Sequence, residues 1–248
     1  MLDGIRRYRW WKGVLEVLFP SVCVVCEKKL IHDEVCICNS CLTSVWRTEH
    51  AILKDNGIDM VFVELIHKSN KNIRYQKGAA WGYYNRECGQ TLRRIIECKY
   101  GSRPIPKVFE YLGRIAAQEY IDSDLFDDVD FLVPVPLHNR RLRERGFNQA
   151  EWICRGISEV LQIPIDTEHL VRVRNNAHQA QSQFNKRLEN VEGLFLVRYP
   201  EEWKGKHILL VDDVITSGST LFACMKETVP IRGCRVSVFA LGWAHNGG

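Results

Sequence analysis

The residues with the most chemical content stand in one run, His207–Leu221, reading HILLVDDVITSGSTL. Four apolar residues, Ile208–Val211, have the continuous hydrophobicity of a strand buried on both faces. Two carboxylates, Asp212 and Asp213, follow, and then a small, hydroxyl-rich turn, Thr216, Ser217, Gly218, Ser219 and Thr220. Leu221, Met225 and Val229 continue at helical spacing. A glycine among small residues lets backbone N–H groups close around a phosphate. The following helix N-terminus adds partial positive charge, and the hydroxyls donate further hydrogen bonds. Adjacent acids are poor neighbours for a phosphate unless they meet something else. A ribose diol suits them, because carboxylates accept from both hydroxyls, and they can also anchor Mg²⁺.

A second candidate is basic. The strand Phe131–Val135 ends among prolines, Pro134 and Pro136, and runs into Arg140, Arg141, Arg143 and Arg145 with one Glu144. If this strand end lies beside that of Ile208–Val211, the arginines face the same pocket, where guanidinium groups match the oxygens of a pyrophosphate. A solvated basic face is the competing reading.

The third is a cysteine cluster. Of ten cysteines, five lie between Cys23 and Cys41. Cys23/Cys26 and Cys38/Cys41 form two CxxC pairs separated by eleven residues. Four thiolates on two tight turns suit tetrahedral Zn²⁺, and this spacing disfavours a redox pair. Cys36 could stand in for Cys38. No water-activating residue is near, so the zinc is expected to be structural. Lys28-Lys29 is too little to assert DNA contact. The scattered Cys88, Cys98, Cys154, Cys224 and Cys234 read as small buried hydrophobes in a reducing compartment.

Alternating strands and helices must position these residues. A short amphipathic helix ending at Pro20 precedes the ribbon. Two apolar runs, Met60–Ile66 and Ala79–Tyr84, read as strands of a hood or linker. Beyond them come helices over Gly89–Cys98 and Ile105–Ile121, strand Phe131–Val135, a basic loop, and a helix over Phe147–Leu161. Strands Leu194–Val197 and Ile208–Val211, helix Ser219–Val229 and strand Arg235–Leu241 complete the pattern. It predicts an α/β fold with a mainly parallel, twisted sheet covered on both faces, its ligand at the carboxyl ends of the strands. The units expected are a helix and zinc ribbon over 1–50 and an α/β domain over 51–248. Net charge is only +4, which does not by itself imply nucleic-acid binding. No run of 18 apolar residues exists, and the N-terminal arginines lead into Trp10-Trp11-Lys12 rather than a signal core. A cytoplasmic location is the expectation.

The run VDDVITSGST resembles the fingerprint of type I phosphoribosyltransferases. That resemblance implies that Asp212 and Asp213 hold the ribose hydroxyls of phosphoribosyl pyrophosphate, with Thr216–Thr220 on its 5-phosphate. Several purine enzymes of the class carry an aspartate where this chain has Thr216, which points away from purine salvage. PVPLHNRRLRERGFNQAE is similar to the signature of the ComF family of competence-associated proteins. So are Glu97-Cys98-Lys99-Tyr100-Gly101, the Gln179–Phe195 segment and the cysteine cluster, although Glu27 stands where that family often has glycine. By this resemblance Asn175–Asn190 is the segment that closes over substrate. Gln179, Arg187 and Asn190 occupy matching positions, Arg187 with a catalytic part, and Arg140, Arg143 and Arg145 bind the pyrophosphate. The implied activity is Mg²⁺-dependent phosphoribosyl transfer to an unknown acceptor, linked to DNA uptake and natural transformation. The alternative is a non-catalytic module that binds the same ligand and docks single-stranded DNA or DNA-processing proteins.

Overall fold

The computed structural model describes residues 22–31, 34–53, 56–84, 89–97, 106–173 and 193–244. Four strands form one sheet, all parallel: β1 (Tyr75–Tyr83), β2 (Phe131–Pro134), β5 (His207–Ile215) and β6 (Arg235–Trp243), in the order β1-β6-β5-β2. A separate antiparallel pair, β3 (Leu170–Arg172) and β4 (Phe195–Val197), stands apart from it. The expected parallel α/β architecture is therefore present. Residues 46–48 run antiparallel along the outer edge of β1, with Tyr83 N–H donating to Trp46 O at 2.9 Å.

The central strand shows why the sheet needs cover on both sides. Leu209 and Val211 of β5 belong to one buried cluster, Ile208 and Leu210 to the other. Successive side chains of a strand point to opposite faces, so this unbroken apolar run reaches two cores at once. The first face is covered by α3 (Gln90–Glu97), α4 (Pro106–Glu119) and α6 (Gln149–Leu161). The second is covered by α2 (Gly57–Ser69) and α7 (Ser219–Lys226). Helices α4 and α6 cross at two glycines. A Cβ on Gly156 would come within 2.0 Å of Glu110 O, and one on Gly113 within 2.3 Å of Ile153 O.

Two expectations are corrected here. Met60–Ile66 is not a strand but the middle of α2. Asn56 caps the helix by accepting from the N–H groups of Ile58 and Asp59, and only Ile58, Phe62 and Leu65 are buried, at spacings of four and three. Met60 is 73% exposed and Val63 57%, so apolar side chains facing solvent disguised the helical period. The basic segment after β2 is likewise not a loop. It forms the short helix α5 (Asn139–Arg145), capped by the His138 side chain and ended by Gly146 at φ +81°. The expected N-terminal helix before Pro20 and the Asn175–Asn190 segment, with Gln179, Arg187 and Asn190, lie outside the described residues. No helix among the described residues is long and apolar enough to cross a membrane.

Candidate phosphoribosyl and metal sites

Register places the acid pair at a step in the sheet. β2 and β5 pair from Phe131↔Ile208 to Pro134↔Val211, and Val135 N–H still donates to Val211 O at 2.8 Å. There β2 turns away, while β5 continues through Ile215 beside β6, with Asp212↔Ala240 and Ile215↔Trp243. Asp212 and Asp213 therefore belong to the strand rather than following it, and they stand where one neighbour has ended. Such a step is where ligands of open parallel sheets enter. The Asp213 N–H donates to Asp212 Oδ1 at 2.8 Å, which fixes the first carboxylate.

A cleft of about 250 Å³ opens at this step. Asp212, Asp213 and Thr220 line it together with Arg141, Arg145 and Arg172. Thr216–Gly218 form the turn from β5 into α7, which Ser219 opens. Gly218 sits there at φ +73°, a left-handed conformation natural to glycine, and Ser217 Oγ and Ser219 Oγ lie 3.0 Å apart. No side chain caps α7.

The arginines divide by helix face. Because α5 is a helix, Arg141 and Arg145, four residues apart, share the side toward the cleft. Arg140 instead pairs with Glu144 at 2.9 Å, both side chains more than half exposed, and Arg143 is exposed. Neither Arg140 nor Arg143 lines the cleft. Sequence reasoning also passed over Arg172, which reaches the cleft from β3. Burial, with the Arg141 charge next in effect, pulls its guanidinium below the usual range, against the attraction of Asp212. Its sequence signal, an arginine in a short apolar run before the Asn175–Asn190 segment, carries no information without the tertiary fold.

The thiol sulfurs of Cys23, Cys26, Cys38 and Cys41 all lie within 4.8 Å of one another. This donor set fits a tetrahedral structural metal such as zinc. Cys38 precedes helix α1 (Asn39–Thr43), so the second CxxC is the opening turn of a helix. The Cys23 sulfur accepts from Cys38 N–H at 3.3 Å and Val25 N–H at 3.4 Å. Burial would raise its pKa, but backbone donors overcome that and bring it to about 7, toward the thiolate a metal needs. Cys36 lies outside the cluster, and burial pushes its thiol up to about 12. Glu27, where the resembled family often has glycine, adopts φ +61° and donates its N–H to Cys23 O at 2.9 Å. The knuckle forms without glycine.

No family model matches the chain. It is 38% identical over 92 residues to the DNA utilization protein YhgH of Escherichia coli (strain K12), covering 37% of this chain and 40% of that protein. Competence protein F of Haemophilus influenzae is 36% identical over 91 residues, covering 36% and 40%. Competence protein ComFC of Bacillus subtilis is 35% identical over 121 residues, covering 48% and 47%. The match thus spans less than half the length of each of these relatives. Among solved structures, the hypoxanthine phosphoribosyl transferase of Trypanosoma cruzi aligns over 54% of this chain and 62% of that one at 14% identity, with a TM-score of 0.32. So weak an overlap carries nothing about ligand or reaction. Over these segments the chain is similar to proteins named for competence and DNA utilization, which supports the resemblance that the basic signature, the acid pair and the cysteine cluster pointed to.

Proposed function

We propose that the cleft binds phosphoribosyl pyrophosphate with Mg²⁺ and transfers its phosphoribosyl group to a nucleophile. One observation carries this reading: the acid pair and Thr220 share a cleft with Arg141, Arg145 and Arg172. The ligand has matching parts. Its ribose diol donates to Asp212 and Asp213, its 5-phosphate takes the N–H and hydroxyl donors of Thr216–Thr220, and its pyrophosphate meets the arginines. Oxygen donors of the acid pair and the diphosphate suit Mg²⁺, which when bound would neutralise charge on the leaving group. Transfer breaks the bond from the anomeric carbon to pyrophosphate oxygen and forms one to the incoming nucleophile, which releases its proton. The arginines stabilise the departing charge. The acids sit near the positive charge that develops on the sugar ring. Thr216, in place of an aspartate, supports an acceptor other than a purine. The expected roles of Arg140 and Arg143 we reassign to Arg141 and Arg172, and Arg187 remains the candidate from the segment expected to close over substrate.

The relatives' names support a role in DNA uptake or use. In this reading the zinc ribbon of 1–50 and the transfer domain of 51–248 work in the cytoplasm beside single-stranded DNA or its processing proteins. Calorimetric titration of the full chain with phosphoribosyl pyrophosphate and Mg²⁺ is the test. Wild type should bind with micromolar affinity, and Asp212→Asn/Asp213→Asn should weaken it at least tenfold, about 1.4 kcal/mol. Absence of binding by wild type would overturn the site. Binding without pyrophosphate release, across a panel of amines and bases, would make the protein a ligand-sensing module instead.

A further inference from the structure

One buried polar group at the acid-pair cleft lacks a partner. Gln149, the first residue of α6, lines that cleft and is only 2% exposed. Its Oε1 accepts from Arg145 Nη1 at 3.4 Å. A guanidinium has donors and no acceptor, so the amide oxygen must face Arg145 and the Nε2 donors must face elsewhere. Nε2 is buried and has no hydrogen-bond partner among the described residues. Its neighbours on the same turn are engaged. The Asn148 side chain donates to Val135 O and accepts from Ala150 N–H, and Glu151 accepts from Arg155 at 2.7 Å.

A buried donor without an acceptor destabilises the free protein, and such groups are rare enough in folded chains to require a reason. An apolar side chain of the same length would fill the space without that penalty. What the amide lacks is an acceptor, and its place selects one. The acids and the Thr216–Thr220 turn lie on β5 and its connection to α7, whereas Gln149 stands on α6 against Arg145, one of the arginines assigned to pyrophosphate. The sugar hydroxyls already donate to the acids. Phosphate oxygens accept, and the positive end of a thirteen-residue helix favours them further. Nε2 is covered in the empty cleft, so contact requires the amide to turn about its side-chain torsions as Arg145 moves onto the ligand. Hydrogen bonds of this kind often align only in the complex.

We infer that Gln149 reads the leaving group: its Nε2 donates to a pyrophosphate oxygen beside Arg145, and so favours a sugar that carries a diphosphate over ribose 5-phosphate itself. The inference rests on the proposed reading of the cleft and adds to it a residue that sets specificity for the sugar donor.

The test is calorimetric titration of the full chain, wild type and Gln149→Met, with phosphoribosyl pyrophosphate, inorganic pyrophosphate and ribose 5-phosphate, each with Mg²⁺. Methionine keeps the unbranched stem and removes both ends of the amide. It should weaken phosphoribosyl pyrophosphate and pyrophosphate about tenfold and ribose 5-phosphate less than twofold. The free variant should melt about 3 °C above wild type, because the orphaned donor is gone, whereas loss of a residue kept for packing would lower the melting temperature. Gln149→Glu keeps an acceptor for Arg145 without the donor, and should also bind phosphoribosyl pyrophosphate at least tenfold more weakly. Full affinity in Gln149→Glu would reduce Gln149 to holding Arg145 and overturn the inference. Equal weakening of all three ligands would overturn it too, as would phosphoribosyl pyrophosphate binding indifferent to Gln149→Met. Each of these results leaves the reading of the cleft standing. No binding of phosphoribosyl pyrophosphate by wild type overturns that reading and this inference with it.

Discussion

At the scale of single residues, charge and backbone conformation decide which side chains matter. Four arginines within six positions look equivalent in sequence, but α5 turns Arg141 and Arg145 toward the acid pair and leaves Arg140 with Glu144. Arg141→Ala should therefore reduce affinity for phosphoribosyl pyrophosphate about tenfold or more, while Arg140→Ala should change it less than twofold, both read by calorimetry. The acid pair and the CxxC pairs were legible because residue type and short spacing alone define them. The arginine choice was not, since it depends on a helical face that begins only at His138. Glu27 offers a second test. A non-glycine residue at φ +61° costs about 1 kcal/mol. Glu27→Gly should raise the urea midpoint of the metal-loaded protein correspondingly, since the backbone bond to Cys23 O needs no side chain.

Among elements, the outer edge of β1 depends on a buried histidine. Residues 46–48 pair along it, and the ring of His50 accepts the Ala80 N–H through Nδ1 at 3.2 Å beside Trp243. Burial lowers the His50 pKa from 6.5 to about 4, so the folded state keeps the ring neutral. The folded pKa lies below the unfolded one. The stabilisation is thus complete above pH 6.5 and is lost as pH falls toward 4, at up to about 1.4 kcal/mol per pH unit. Wild type should lose roughly 2 kcal/mol between pH 6.5 and 5 from this group. His50→Asn, which keeps an acceptor near the Nδ1 position, should flatten urea-unfolding stability over that interval. His207, also depressed by burial, would supply the residual slope. Strands β2, β5 and β6 could be read from their apolar runs, because a strand buried on both faces has no polar alternation to misread. Helix α2 could not, since Met60 and Val63 face solvent. The crossing of α4 and α6 makes a different demand. Gly156→Ala should cost about 3 kcal/mol, since the added methyl meets backbone that cannot move aside without parting the helices. Thermal unfolding would measure it.

Across the whole molecule, the cysteine cluster is continuous with the sheet's own core. Cys23, Cys36, Ile37, Cys38 and Val45 share one buried cluster with Leu209, Val211 and Phe239. Arg47 closes the seam, its guanidinium 3.8 Å above the Trp81 ring and hydrogen-bonded to both oxygens of Glu119, which also accepts from Trp81 Nε1 at 2.7 Å. Among the described residues, those of the ribbon thus pack against the core of the α/β domain. Spacing of cysteines reveals ligands but not what the rest of the ribbon touches. If the metal holds the ribbon and the ribbon covers the sheet, then 1–50 and 51–248 should unfold together. Circular dichroism and released zinc, followed in the same denaturant series, should trace one transition, and chelation should lower the melting temperature by roughly 10 °C. Cys38→Ser should reproduce the chelated state, whereas Cys36→Ser should keep its zinc and lose only packing. Two separated transitions would mean that the shared core contributes little and that the ribbon is an independent unit.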